Sequence, residues 1–145
     1  MWYPPLGCPG PPAVLILDTN ALIFDALKPA RLSPKARTLI KRAHARNDLV
    51  CSDISLWEIA MLIAKGRLDP GTRVREFLSL VLTARSITVL PITPEIAELS
   101  TNLPDPVSAD PADRLIAATA IHHGATLIST DTNLAETGLP LVVIG

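Results

Sequence analysis

Apolar residues along the chain fall into short runs separated by longer segments in which apolar and polar positions recur at helical spacing. The run AVLIL, residues 13–17, is too short for a helix before the turn-forming DTN, which favours a buried strand that ends at Asp18. Four further short apolar segments predict strands: DLVCS, ITVLPI, ATLIST and, at the edge of the sheet, LPLVVIG.

The segments between these runs carry helix start and stop signals. Ser33 with Pro34 opens SPKARTLIKRAHARN, Thr93 opens TPEIAELSTNL, and Asp110 opens a helix that ends at Gly124. ISLWEIAMLIAKG has Ser52, Asp53 and Ser55 as candidate caps and a stop at Gly66, and GTRVREFLSLVLTARS predicts another helix. Strands that alternate with helices predict right-handed crossovers and a parallel sheet, whose ligands bind beyond the carboxyl ends of the strands.

Composition narrows the class of fold. The chain has 145 residues, 48% of them hydrophobic and only 3% aromatic, which suits a single α/β domain with helices on both faces of the sheet. We predict a three-layer α/β/α domain over residues 13–145, with a mostly parallel sheet of four to five strands. Residues 1–12 are rich in Pro and Gly and are expected to be a disordered leader or an overlong start.

Cysteine content and hydropathy indicate the cellular compartment in which the protein is expected. Cys8 and Cys51 are far apart and have no zinc-site spacing, so neither a disulfide framework nor a zinc centre is indicated. The amino terminus has no basic region before an apolar core, and nowhere do about 18 uninterrupted apolar residues occur. A cytoplasmic protein without a membrane partner is the simplest expectation.

Charge is distributed unevenly although the net charge is only −1. Residues 1–85 contain 12 basic and 7 acidic residues, whereas residues 86–145 contain 1 and 7. Seven of the basic residues lie in a segment without any acid: Lys28, Arg31, Lys35, Arg37, Lys41, Arg42 and Arg46. This segment is either a contact surface for a phosphate backbone or simply a solvated helix face.

Four acids have positions that suggest chemistry: Asp18 and Asp131 just beyond predicted strands, and Glu58 and Asp113 within predicted helices. Glu58 is surrounded by apolar residues, and Lys65 and Arg67 are about two turns away, beyond the reach of an i+4 pair. A buried salt bridge elsewhere and a place in an acid cluster both remain open for it. Asp110 shares a helix face with Asp113 but is also a natural helix cap.

Several carboxylates that converge repel one another unless a divalent cation is present. Oxygen ligands without Cys or His favour Mg²⁺, with Mn²⁺ as a substitute. Such a site can polarise a phosphate and activate water for attack on a phosphodiester. The acids therefore predict both a cofactor and a class of hydrolysis.

The segments LDTN, SLWEIAMLIAKGRL, DPADRLIAATA and LISTDTNL, in this order and spacing, resemble the PIN-domain family and its VapC-type toxins over about residues 14–145. By this resemblance Asp18, Glu58, Asp113 and Asp131 match the family's metal-binding acids, and Asn20, Ser129 and Thr19 are polar supports. The resemblance implies a magnesium-dependent ribonuclease, the toxin of a toxin-antitoxin pair, often a homodimer. The leader and Ala109, where many relatives carry a basic residue or histidine, depart from the pattern.

The main hypothesis is thus an endoribonuclease with RNA as substrate and an antitoxin protein as partner. Its candidate contacts to the RNA backbone are Lys35, Arg37, Lys41, Arg42, Lys65, Arg67 and Arg114. Arg114 could equally orient carboxylates, and Trp57, beside Leu56 and Ile59, is expected in the core. The alternatives are a non-catalytic RNA- or protein-binding module and a phosphatase with a strand-end aspartate. Asn20 counts against the phosphatase, because a second aspartate belongs there.

Overall fold

The computed structural model describes residues 14–103, 110–130 and 142–144. In chain order the elements are β1 (Leu15–Leu17), α1 (Thr19–Leu27), a 3-10 turn (Pro29–Arg31), α2 (Pro34–Ala45), β2 (Leu49–Ser52), α3 (Asp53–Ala64), α4 (Val74–Ala84), β3 (Thr88–Leu90), α5 (Pro94–Thr101), α6 (Pro111–His123), β4 (Thr126–Ser129) and β5 (Val142–Ile144). The leader predicted over residues 1–12 and the predicted metal ligand Asp131 lie outside the described residues.

The strands form one sheet in the order β3-β2-β1-β4-β5, and each neighbouring pair is parallel. β1 is central, so Asp18 follows a strand that is paired on both sides, with Leu15 opposite Leu49 and Thr126. The prediction of a parallel sheet of four to five strands is confirmed.

Alternation of side chains along the buried strands divides the core between the two faces of the sheet. Leu15, Leu17 and Cys51 pack with α1, α2, α3 and α4 on one face. Ile16 and Val50 pack with α5 and α6 on the other. Both faces are covered, so β1 is apolar throughout and β2 is apolar up to Ser52, and the three-layer α/β/α prediction is confirmed.

Most of the predicted helix boundaries are confirmed by capping contacts. Ser33 accepts from the backbone N–H of Ala36, Thr93 from Ile96, and Asp110 from Ala112. Gly124 ends α6 with a φ of 61°, which lies in the left-handed region that glycine adopts easily. For α3 the cap is Ser52, whose hydroxyl accepts from the N–H of Ile54, and not Ser55.

Two features differ from the sequence-based expectation. Helix α1 was not predicted, because its residues TNALIFDAL are mostly apolar and show little contrast between two faces. Trp57 was predicted in the core, but its side chain is 57% exposed. At about 100° per residue, Trp57 points away from Ser55 and Ile59, the two buried residues of α3.

None of the helices in residues 14–103 and 110–130 combines the length and the apolar character needed to cross a membrane.

Candidate active site

Asp18 is fixed between the central strand and the first helix. Its backbone N–H donates to the carbonyl of Ile128 on β4, which holds it at the carboxyl edge of the sheet. One carboxylate oxygen accepts from the N–H of Ala21 at 2.7 Å, and the other accepts from the N–H of Thr130 at 3.1 Å. Asp18 is thereby the N-cap of α1, and it is 9% exposed. The turn-forming DTN that ends β1 thus serves to orient a carboxylate.

Glu58 enters the same pocket from α3 and is held by Thr19. The Thr19 hydroxyl donates to Oε1 of Glu58. The Thr19 oxygen also lies 3.1 Å from the Ser55 hydroxyl oxygen. Because Thr19 has a single hydroxyl proton and a carboxylate is the stronger acceptor, Ser55 is the donor when both contacts are formed. Thr19 and Ser55 are buried, so this chain of hydroxyls fixes Glu58 from beneath.

Asp110 and Asp113 reach the pocket from the first turn of α6. Together with Asp18, Thr19, Asn20, Glu58 and Leu62 they line a cavity of about 190 Å³. Asp110 is both the cap of α6 and a wall of this cavity, so its two predicted roles are compatible. We refer to the cavity as the carboxylate pocket.

Electrostatics in the pocket disfavour the ionised form of Glu58. Burial is the main cause that raises the pKa of Glu58 above its ordinary value. The hydrogen bond from Thr19 lowers this pKa, while the charges of Asp110, Asp113 and Asp18 raise it. Glu58 forms no salt bridge with any residue in the described ranges. The acid-cluster interpretation of Glu58 is therefore the one that the structure supports.

The polar residues predicted around the acids have distinct positions. Asn20 is exposed at the pocket wall and donates its amide N–H to the Thr130 hydroxyl at 3.2 Å. Ser129 is fully buried at the end of β4. Asp131 stays a prediction because it lies outside the described residues.

The chemistry of the pocket fits a hard divalent cation. Among the residues that the structure describes, no three acidic, His or Cys side chains are close enough to enclose a metal ion by themselves. Mg²⁺ usually keeps several water molecules and binds through one or two carboxylates, so a full protein cage is not required. Among the described residues, four acids and no cationic side chain line the carboxylate pocket. Oxygen ligands suit Mg²⁺ or Mn²⁺ better than a softer metal.

The predicted RNA-contacting residues lie in different places. Lys35, Arg37, Lys41 and Arg42 are exposed on α2, and none of them lines the described carboxylate pocket or the groove beside it. Lys65 is exposed at the C-cap of α3, whereas Arg67 lines a second cavity, which shares Asn20 and Leu62 with the carboxylate pocket. The guanidinium of Arg114 donates to the carbonyls of Ser100 and Leu103, which ties α6 to the end of α5. These two contacts support a structural role for Arg114.

Sequence analysis missed two residues of the site, Ser55 as a partner of Thr19 and Thr130 as a partner of Asp18 and Asn20. The signal for Ser55 was available, since it is a polar residue three positions before Glu58 in an apolar helix. Thr130 acts partly through its backbone N–H, which any residue type except proline supplies, so the sequence carried no signal for that contact.

The fold and the pocket together define an α/β protein with an oxygen-lined acidic site at the carboxyl ends of its central strands. The chain belongs to the PIN domain family, whose profile matches residues 15–139. It is 34% identical over 120 residues to Ribonuclease VapC22 of Mycobacterium tuberculosis, covering 83% of this chain and 88% of that protein.

Two solved structures show the same fold at low sequence identity. One is VapBC2 from Rickettsia felis bound to a DNA fragment from the VapBC2 promoter. It matches with a TM-score of 0.70 at 16% identity, over 90% of this chain and 97% of the other. FitAcB from Neisseria gonorrhoeae matches with a TM-score of 0.60 at 22% identity, over 88% and 95%.

Proposed function

We propose that this protein is a metal-dependent endoribonuclease and the toxin of a toxin-antitoxin pair. The observation that carries the proposal is the carboxylate pocket, in which Asp18, Glu58, Asp110 and Asp113 come together at the edge of the sheet. The similarity to Ribonuclease VapC22 over most of both chains supports RNA as the substrate.

The residues of the pocket have separate tasks in this proposal. Asp18, Glu58, Asp113 and Asp131 are proposed as the acids of the metal site, one or two of which would bind the cation directly and the others through its water molecules. A bound Mg²⁺, or Mn²⁺ in its place, supplies activation of water and neutralisation of charge on the phosphate. Thr19 and Ser55 orient Glu58, while the backbone N–H groups of Ala21 and Thr130 orient Asp18. No serine, cysteine or histidine nucleophile is needed.

The test is expression of the protein and of its Asp18→Asn variant in a bacterial host, with mapping of new RNA 5′ ends in total RNA. The wild type should arrest growth and produce discrete cuts, and the variant should do neither. If both proteins arrest growth without new 5′ ends, the protein is a binding module that acts without cleavage.

The proposed antitoxin partner has a suitable surface between α1 and α4. This cleft has a volume of about 460 Å³ and is walled by Leu22, Phe77, Val81 and Leu80, the last 60% exposed. At its side, Asp25 forms a salt bridge of 3.0 Å with Arg85. An apolar cleft with a polar edge suits the apolar face of an amphipathic partner helix. Leu80→Lys should reduce co-purification with a co-expressed antitoxin.

The proposed homodimer is supported by the outward face of α3. Trp57 is exposed, and Met61, one turn further on, lies on the same face. Neither residue belongs to the two buried cores. Light scattering should find a dimer for the wild type and a monomer for Trp57→Lys. Leu80→Lys, which replaces an equally exposed apolar residue on α4, is the matched control and should remain dimeric. If the Trp57→Lys variant is still a dimer, the dimer interface lies on another surface.

A further inference from the structure

A second cavity adjoins the carboxylate pocket and carries the opposite charge. It has a volume of about 310 Å³ and lies between α1 and the segment that follows α3. Its cationic side chains are Lys28, Arg31 and Arg67, and its apolar ones include Phe24 and Leu68. Asn20 and Leu62 line both this cavity and the carboxylate pocket, so the two are neighbours. We call the cavity the basic groove.

The positive charge of the basic groove is not neutralised within the described part of the chain. The residues that line the groove include no acid. The two salt bridges in the described ranges use Arg46 and Arg85, and neither involves a cation of the groove. The guanidinium of Arg31 lies 4.4 Å from the centre of the Phe24 ring, so its planar group rests on an aromatic face.

Charge complementarity identifies the chemistry of the occupant. The carboxylate pocket repels phosphates until a cation binds, so an RNA substrate needs positive charge close to the point of cleavage. The basic groove offers three cations at that position, together with an aromatic ring and aliphatic side chains. Unpaired bases stack on aromatic rings and on arginine planes, while phosphates pair with Arg and Lys. The volume is at the lower end of the range of about 300–1,000 Å³ for small-ligand sites, which suits one nucleotide.

We infer that the basic groove binds an unpaired nucleotide of the RNA beside the scissile phosphate, with its base against Phe24 and Arg31 and its phosphate at Arg67 and Lys28. The inference rests on the proposed function, because it takes RNA to be the substrate. Most of the RNA contacts predicted from the sequence lie on α2. The basic groove instead places RNA binding at the end of α1 and in the segment after α3.

The test measures binding without cleavage. A short fluorescein-labelled single-stranded RNA of mixed sequence is titrated with the full-length protein in EDTA, at several salt concentrations, by fluorescence anisotropy. The variant Lys28→Ala/Arg67→Ala removes the two cations of the groove that the inference assigns to the phosphate. Its matched control, Arg73→Ala/Arg75→Ala, removes two exposed arginines that line neither cavity. Thermal unfolding of both variants shows whether they are folded.

We expect the groove variant to reduce the slope of log K against log salt by about 1.4, or about 0.7 for each lost phosphate contact, and the control to change it by less than half of that. Phe24→Leu should weaken binding with the slope unchanged, because it removes a stacking ring and no charge. An equal loss in the groove variant and the control overturns the inference, and a protein segment is then the better occupant. The binding assay contains EDTA and therefore does not depend on cleavage. A protein that binds RNA through the basic groove but does not cleave it when Mg²⁺ is added would contradict the proposed function and still support the inference.

Discussion

The carboxylate pocket and the basic groove are neighbours with opposite electrostatics. Of the residues that the structure describes, four acids and no cation line the pocket, whereas three cations and no acid line the groove. Asn20 and Leu62 line both cavities. The pocket suits a metal ion and not a polyanion, and the groove suits a polyanion and not a metal ion. Chemistry and substrate attraction are therefore assigned to different residues, and substitutions should separate kcat from KM.

The largest effect is expected from the pocket. Asp113→Asn removes a negative charge while preserving the shape of the side chain at the start of α6. The rate of RNA cleavage at saturating RNA should fall by about 10³-fold or more, with little change in RNA affinity. Single-turnover cleavage and anisotropy binding measure the two quantities. If Asp113→Asn instead weakens RNA affinity and leaves the cleavage rate unchanged, the carboxylate pocket and the basic groove act as one binding surface.

A smaller effect is expected from the hydroxyls beneath the pocket. Thr19→Val removes the hydrogen bond to Glu58 but keeps the volume of the side chain. Residues that orient metal ligands typically contribute 10–100-fold in metal affinity or activity, so we expect a loss in that range. Mn²⁺ binding, followed by electron paramagnetic resonance, should weaken in parallel. Thr19→Ser retains the hydroxyl and should bind Mn²⁺ nearly as the wild type does; equal losses in both variants would show a packing effect instead.

Salt should act on the groove and leave the pocket almost unaffected. The two proposed phosphate contacts predict a slope of about −1.4 for single-stranded RNA, so KM should rise about 7-fold between about 50 and 200 mM salt. The value of kcat at saturating RNA should change little, since the proposed cation would be held by local charges of the pocket. Steady-state kinetics at constant Mg²⁺ provide the measurement. A fall in kcat with constant KM would contradict the division of roles.

The smallest effect concerns stability and pH. Burial raises the pKa of Glu58 above its ordinary value near 4.5, so its ionised form destabilises the metal-free fold at neutral pH. Glu58→Gln should raise the Tm of the metal-free protein at neutral pH, because it removes this charge from the pocket. This gain should disappear as the pH falls through the raised pKa, because Glu58 is then neutral too. Calorimetry in EDTA across this pH range tests the sign.

Two acids of the carboxylate pocket could be predicted from the sequence, whereas the exposure of Trp57 and the basic groove could not, for physical reasons. Asp18 follows a buried apolar strand and Glu58 lies in an apolar helix, so burial of charge made both conspicuous. Trp57 was placed in the core because α3 is apolar on nearly every side, and such a helix does not reveal which face is covered. Arg31 and Arg67 were both among the basic residues considered as RNA contacts, but their convergence in one groove was not predicted, because they are 36 residues apart and meet only through the packing of α1 against α3.

Cleavage by the purified protein shows whether the carboxylate pocket is a metal-dependent nuclease site. A defined single-stranded RNA is incubated with the wild type and with Asp18→Asn while Mg²⁺ is raised from zero in the presence of a metal-free buffer. The account predicts cleavage by the wild type that saturates with Mg²⁺ and is absent without it, and no cleavage by Asp18→Asn at any Mg²⁺ concentration. Cleavage of equal rate by both proteins, or by the wild type in EDTA, would contradict a metal-dependent site built on Asp18.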